Sequence, residues 1–506
     1  VAAAAEAAGA EVRIFDYIVC PYSPAILASH LAEFRPDVVG ISSVTLNYYR
    51  ALAIITEVKK FDSRIITLFG GPHVSFTATE TLAECPAVDI VVIGEGEATC
   101  AELLPLIHQQ DKWGEVAGIA FRSSGEIILT SPRPLIQDLD SLPLPARHLL
   151  PLSRYQALGF PISIITSRGC PYNCIFCVGR RMVGGKVRYR SVASIVDEIE
   201  DILSYGLDRI NFADDLFVSR KSRVLAVCAE IEKRNLRFAW SAFARVNTVD
   251  ADILRAMKSA GCDAVSFGVE SGNQAILDRI GKGITPEMVR RAVNLCREAG
   301  ILAHTSFMVG LPGETKETLA ETEAFARSIG SLYGYHFLAP FPGTVIRQKS
   351  GELGLKILTD DWSRYDANSA IVATEELSDA DMDEFVGAFE AEIEKTWQEM
   401  VAGFRLTNSP EIDLQVRGQF RTRLVYRLLS ENILEEFSYP VGKKEAPDLA
   451  LGLAALSRHV QARTEAETDL VEETLINLTQ RGFLVPQPVG ELLTFIWTHN
   501  RHRTTF

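Results

Sequence analysis

Between Ile162 and Ala339 six short apolar runs alternate with five segments of helical period, and no other feature of the 506 residues constrains the fold as tightly. The runs are Ile162–Thr166, Arg209–Phe212, Phe238–Phe243, Ala264–Val269, Ala303–Val309 and Tyr335–Ala339. Helical periodicity fills 191–205, 220–234, 250–259, 286–300 and 316–329. Apolar runs separated by amphipathic helices read as parallel strands joined by crossovers. Crossovers of one hand curl such a sheet into a barrel or part of one. The expected class is therefore α/β, with a partial (β/α)6 barrel over 161–345.

A second alternation fills residues 1–130. Strand-like runs at Val12–Tyr17, Asp37–Ser43, Arg64–Gly70 and Asp89–Gly94 are each followed by a helical segment. The pattern predicts a Rossmann-like, flavodoxin-type parallel sheet. Gly118–Thr130, two short runs about a Ser-Ser-Gly turn, predicts a closing hairpin. The chain opens inside a helical pattern, so a strand upstream of Val1 is expected. Prolines from Pro132 to Pro145 mark 131–160 as a linker. Beyond Pro342 the pattern turns mainly helical: Ser378 caps a long helix through about Val401, and 346–506 forms a separate C-terminal domain. There ETLINLTQRGFLV reads as helix, Gly482 turn and strand. Such an element suits a winged-helix-like unit and leaves peptide or nucleic-acid binding open, but the acidic composition disfavours DNA and a substrate cap or scaffold is the expected role of 346–506. Arg417, Arg421, Arg423 and Arg427 share one helix, and Arg501, His502 and Arg503 lie near the end. A solvated helix face explains them; an anionic group on a substrate is the alternative.

With 51 basic against 65 acidic residues and a net charge of −14, nucleic acid is disfavoured as the main partner. No apolar stretch approaches the ~20 residues that span a bilayer. The alanine-rich start has no basic n-region and is broken by Glu6, unlike a signal peptide. Nine cysteines, an odd number without an export signal, point to a reducing cytosol. Six of them (Cys20, Cys85, Cys100, Cys228, Cys262, Cys296) are scattered and read as buried structural thiols. The other three, Cys170, Cys174 and Cys177, fall in SRGCPYNCIFC directly after the first barrel strand. Cys-x3-Cys-x2-Cys puts three soft ligands on one tight loop, suited to an iron–sulfur cluster or zinc. Zinc would require a fourth ligand, and the nearest histidine, His148, precedes the strand.

This loop, at the head of a six-unit barrel, resembles that of the radical S-adenosylmethionine (SAM) enzymes. The resemblance implies a [4Fe–4S] cluster on Cys170, Cys174 and Cys177, with SAM chelating the fourth iron. Further barrel motifs match in order. FADDLF places Asp214 and Asp215 at the position that meets the SAM amino group, and FARVN offers Arg245 to its carboxylate. GVESG gives Glu270 and Ser271 toward the ribose, and VGLPGET gives Val309 and Gly310 toward adenine. All fall at strand C-termini, where β/α barrels build active sites; singly, Asp214 or Glu270 could equally be a helix cap or surface acid. Tyr172 would wall the reaction cavity or simply pack.

The N-terminal loops ISSVTLNYY, FGGPHVSF and VIGEGEAT, followed by GCPYNCIFC, resemble the cobalamin (B12)-dependent radical SAM enzymes. That family includes C-methyltransferases and the anaerobic magnesium-protoporphyrin ester cyclase. It implies Ser42, Ser43 and Thr45 near the corrin or its tail, and Gly70, Gly71 and His73 lining the tail pocket. Gly94, Glu95, Gly96 and Glu97 would contact tail or side-chain amides. The Asp-x-His-x-x-Gly motif that supplies a cobalt ligand elsewhere is absent, so His73 is expected to hydrogen-bond rather than ligate. The GEGE segment departs from a dinucleotide fingerprint at Thr99, which weakens a nicotinamide reading. The resemblance implies methyl transfer from SAM through cobalamin to a substrate carbon, oxidative cyclisation or rearrangement being the rival. A corrinoid- or peptide-binding module is the non-enzymatic alternative. It also implies a reductant such as flavodoxin or ferredoxin and a small-molecule or peptide substrate.

Overall fold

The computed structural model describes residues 1–407, 410–441 and 448–499. Its N-terminal sheet runs β1 (Val38–Ser42), β2 (Ile66–Gly70), β3 (Ile90–Val92), β4 (Ile119–Ser123) and β5 (Glu126–Leu129), in that spatial order. The first three pair in parallel, and the β4–β5 hairpin adds on antiparallel, as its turn residues imply. β2 and β3 are almost wholly apolar because helices cover both faces of the sheet. One expectation fails here: Val12–Tyr17 forms no strand. Among the described residues β1 pairs only with β2, so the extended segment has no ladder to join.

The central sheet holds six parallel strands: β6 (Ile162–Ile164), β7 (Arg209–Phe212), β8 (Ala239–Ala244), β9 (Cys262–Glu270), β10 (Leu302–Val309) and β11 (Leu332–Phe337). They lie in sequence order, the arrangement of an open barrel with a helix outside each strand pair. Alternate residues face opposite ways. Trp240, Ala242 and Ala244 are buried under the outer helices, whereas Ser241 and Phe243 point to the other face. That inner face is polar along its length, with Asn211, Ser241, Ser266, His304 and Ser306 only half-buried. Side chains cap the outer helices where the sequence offers them: Ser191, Asp250, Thr285 and Thr315 each accept from a first-turn amide.

The proline-rich stretch is docked rather than loose. Arg147 lies buried against Glu198, which also takes Arg190, so one carboxylate ties the connection to the first outer helix. The Leu152–Leu158 helix then leads into β6.

Past the barrel, Ser378 does cap a helix, Asp379–Thr407, exchanging hydrogen bonds with Asp381 at 3.0 and 3.2 Å. The helices Pro410–Ser430, Leu449–Thr464 and Thr468–Gln480 follow, with β12 (Tyr439–Pro440) between the first two and the hairpin β13 (Leu484–Val489) and β14 (Leu492–Trp497) after the last. The strands pair antiparallel in the order β12–β14–β13. Helix, strand, two helices and a hairpin is the order of a winged helix, as the Gly482 turn suggested. Arg417 is not simply solvated: it meets Asp413 on its own helix and Asp469 and Glu473 on the Thr468–Gln480 helix. Arg427 takes Glu431 and the carbonyls of Arg463 and Thr464. Arg501, His502 and Arg503 lie outside the described residues.

Candidate active site

The cysteine loop starts where β6 stops and is closed at its base by antiparallel pairing of Ser167–Arg168 with Arg188–Tyr189. Gly169 has φ +106°, and a Cβ there would stand 2.5 Å from the Lys186 carbonyl, so only glycine lets the two arms approach. Cys170 N–H donates to the Gly184 carbonyl, Cys177 N–H to that of Cys174, and Ile175 N–H to that of Ile280. Two thiols have donors aimed at them: Gly179 N–H lies 3.3 Å from Cys177 Sγ, and Arg245 Nη1 3.6 Å from Cys174 Sγ. Burial pushes the Cys177 thiol up, and the nearby Cys174 and Cys170 add to the rise. Three soft thiol ligands on one tight loop are a donor set that fits an iron–sulfur cluster.

The two aspartates after β7 part ways. Asp214 turns inward and accepts from Thr166 N (2.5 Å), Thr166 Oγ1 (2.6 Å) and Ser167 Oγ (2.6 Å). Burial pushes its carboxyl up, against those hydrogen bonds. It holds the root of the cysteine loop. Asp215 is exposed and accepts from Gly169 N–H at 3.1 Å, which leaves it as the carboxylate on the loop side. Arg245, buried, carries its guanidinium 3.6 Å from the centre of the Tyr172 ring and donates to the Lys282 carbonyl. Tyr172 therefore orients Arg245. Glu270 closes β9 at φ +73°, a backbone setting that side chains rarely adopt, and pairs with Lys282 Nζ at 2.6 Å. Ser271 and Val309 point away from this group. Ser271 Oγ bonds Thr322 Oγ1 at 3.1 Å, and Val309 is fully buried. Gly310 donates its N–H to Glu314 at 2.6 Å; burial lifts that carboxyl to about 8, leaving it protonated near neutrality.

In the N-terminal domain the three glycine-bearing loops gather at the C-terminal edge of β1–β3. A Cβ on Gly71 would lie 2.4 Å from the Ser43 carbonyl, so the first two loops touch through backbone. Space is open around Gly94, and Gly70 has only ordinary contacts. Ser43 Oγ and Thr99 Oγ1 are buried without hydrogen-bond partners, and Ser42, Val44, Leu46 and Tyr49 stand exposed on the loop that carries Ser43. Unanswered hydroxyls under an exposed apolar rim fit a large ligand with amide side chains, as a corrinoid has. His73 is 1% exposed, bonded to Thr45 Oγ1 at 3.2 Å and held between Tyr48 and Trp362. It is a hydrogen-bonding residue, as the absent cobalt motif implied, but its partner is Thr45. Glu95 and Glu97 are engaged otherwise than expected. Glu95 accepts from Arg188 (2.8 and 3.0 Å), Arg168 (3.1 Å) and Ile136 N–H (2.8 Å), and Glu97 accepts from Arg168 at 2.5 Å. The loop that carries Gly94 and Gly96 is thus bolted to the residue two before Cys170.

Two family profiles cover this architecture: the B12 binding domain over residues 1–104 and the radical SAM superfamily over 164–326. The uncharacterized methyltransferase PH0819 of Pyrococcus horikoshii is 36% identical over 358 residues, 70% of this chain and 78% of that protein. The chain belongs to the B12-binding radical SAM family. The anaerobic magnesium-protoporphyrin IX monomethyl ester cyclase of Rubrivivax gelatinosus is 30% identical over 346 residues, spanning 66% of this chain and 61% of the cyclase. Among solved structures, OxsB with aqua-cobalamin and SAM bound shares the fold at a TM-score of 0.66 and 18% identity, covering 93% of this chain and 79% of that one. TsrM from Kitasatospora setae, a radical SAM methyltransferase solved with cobalamin and a [4Fe–4S] cluster, does so at 0.60 and 19%, covering 80% and 91%.

Sequence reasoning missed Arg168, Arg188, Lys282 and Trp362. The arginines flank the cysteine loop but sit 73 and 93 residues from Glu95, beyond any local pattern. Trp362 comes from a region without a motif. Only the two acids of GEGE hinted that cationic partners existed.

Proposed function

We propose that this chain is a cobalamin-dependent radical SAM methyltransferase that places a methyl group on a carbon of its substrate. The observation that carries the proposal is the Glu95/Glu97–Arg168/Arg188 network, which joins the cobalamin-type loops to the cysteine loop across one buried contact. When bound, the cluster supplies the electron that cleaves SAM, and cobalamin supplies a methyl carrier.

The chain's residues do the rest. Cys170, Cys174 and Cys177 hold three corners of the cluster. Arg245, oriented by Tyr172, is the cation available to the SAM carboxylate, and Asp215 is the carboxylate available to its amino group. Glu270, paired with Lys282 Nζ, can accept from ribose hydroxyls. The Gly310 backbone borders the adenine position. Ser42, Ser43 and Thr45, with Gly70, Gly71 and Gly94, line the corrinoid side, and neutral His73 seals it with Trp362. The polar inner face of the barrel sheet offers Asn211, Ser241 and His304 to a substrate.

No described helix is long and apolar enough to cross a membrane. The reading places the chain in a reducing cytosol, with a flavodoxin or ferredoxin as electron donor. The 30% identity to the cyclase keeps oxidative cyclisation as the second reading. Methyl-deuterated SAM separates the two: incorporation of the labelled methyl into product is expected, and an unlabelled product would refute methyl transfer.

A further inference from the structure

A cleft of about 660 Å³ opens where the Leu152–Leu158 helix meets the Asp379–Thr407, Pro410–Ser430 and Thr468–Gln480 helices. It lies at the opposite end of β6 from the cysteine loop, since Gly159 in its wall precedes the strand and Cys170 follows it. None of its residues takes part in the chemistry assigned above.

The lining has a charge character of its own. It contains two guanidinium groups, Arg421 and Arg481, and no carboxylate among its described residues, in a chain whose acids outnumber its bases 65 to 51. Both arginines are exposed at the rim. The floor holds two buried polar groups that nothing answers. Thr474 is 1% exposed and Gln156 8%, yet Thr474 Oγ1 and Gln156 Oε1 have no hydrogen-bond partner. Gln156 Nε2 donates to the Tyr205 carbonyl at 3.1 Å, which fixes the amide and leaves its oxygen as an acceptor in want of a donor. A threonine within a helix can return its hydroxyl to the carbonyl one turn back; Thr464 and Thr479 both do so here, and Thr474 does not. An unmade bond at each buried group costs stability, which a bound partner would recover. Trp397 and Phe483 supply aromatic wall between rim and floor.

We propose that this cleft is a binding site for a small organic anion: a carboxylate or phosphate ester whose apolar or short polar body carries an N–H or O–H donor. Arg421 takes the anionic end, beside the Arg481 guanidinium that stacks on Phe483. Gln156 Oε1 accepts from the donor, and the Thr474 hydroxyl completes the floor. Simple cations are repelled by the rim, and purely apolar molecules leave the floor unanswered. The site is separate from the cluster and cobalamin loops, so it stands or falls independently of the methyltransferase reading.

Isothermal titration of the full chain, reconstituted with its cluster, tests this with two probes. Hippurate combines a carboxylate, an amide N–H and an aromatic body; glycerol 2-phosphate combines a phosphate with hydroxyls. At least one is expected to bind one-to-one with a Kd of about 1 mM or tighter. Arg421→Gln is expected to weaken that binding at least ~10-fold, and the near-isosteric Thr474→Val several-fold, with the cluster absorbance unchanged. Binding of hippurate alone assigns a carboxylic acid, and of glycerol 2-phosphate alone a phosphate ester. If Arg421→Gln does not fold, judged by circular dichroism, Thr474→Val decides. Failure of both probes to saturate, or undiminished binding in the folded variants, overturns the proposal.

Discussion

His73 shows what burial does to a residue that sequence alone would offer to a metal. Enclosed by Tyr48 and Trp362 and facing the charge of Arg347, its imidazole has a pKa pulled down to about 4. The unfolded imidazole, near ~6.5, takes up its proton first as pH falls. Stability is therefore fully present above that value and is lost as pH drops toward 4. Comparing wild type with His73→Gln by urea unfolding at pH 7 and pH 4.5, we expect the wild type to lose ~2 kcal/mol more than the variant. The aspartate pair makes a second residue-scale prediction. Asp214→Asn removes the acceptor for Thr166 and Ser167 and is expected to lower Tm and cluster occupancy. Asp215→Asn should keep both and weaken SAM binding ~10-fold, read by equilibrium dialysis. Which of two adjacent acids faces a loop is not legible in FADDLF. The cysteine triplet is legible as a motif, because three thiols within eight residues need no long-range information.

At the scale of elements, the contact between the loop after β3 and the cysteine loop is the sharpest structural claim. Arg188 is 4% exposed, whereas Arg168 is 18% exposed, with the 5%-exposed Glu95 between them. Removing one member of a buried ion pair leaves a charge without water or partner, at about 3–5 kcal/mol. Glu95→Ala is expected to cost that much in chemical denaturation, and Glu97→Ala less, since Arg168 keeps Glu95. Equal, small losses for both would contradict the network. The six barrel strands and their helices were legible because each is a local period, and boundaries moved by only a few residues. Val12–Tyr17 was misjudged for the converse reason. Alternation describes a segment able to pair, while a strand also needs a neighbour, and among the described residues there is none. The 131–160 stretch was read as linker from its prolines, but Arg147 and Glu198, far apart in sequence, pin it down.

For the whole molecule, the sequence resolved into an α/β domain, a partial barrel and a mainly helical remainder. The structure adds how the parts are tied: Trp362, from beyond the barrel, closes over His73, and the terminal hairpin reaches Ser153 through Thr498. These ties are invisible to pattern reading because each joins residues without a motif. The central claim is that three thiols on this loop carry a cluster whose fourth iron accepts SAM. Electron paramagnetic resonance of the anaerobically reconstituted, dithionite-reduced chain tests it most directly. The account predicts the spin-½ signal of a reduced [4Fe–4S] cluster that changes shape when SAM is added and disappears in Cys174→Ala. A chain that takes up only zinc, or a signal that survives Cys174→Ala or ignores SAM, would contradict it.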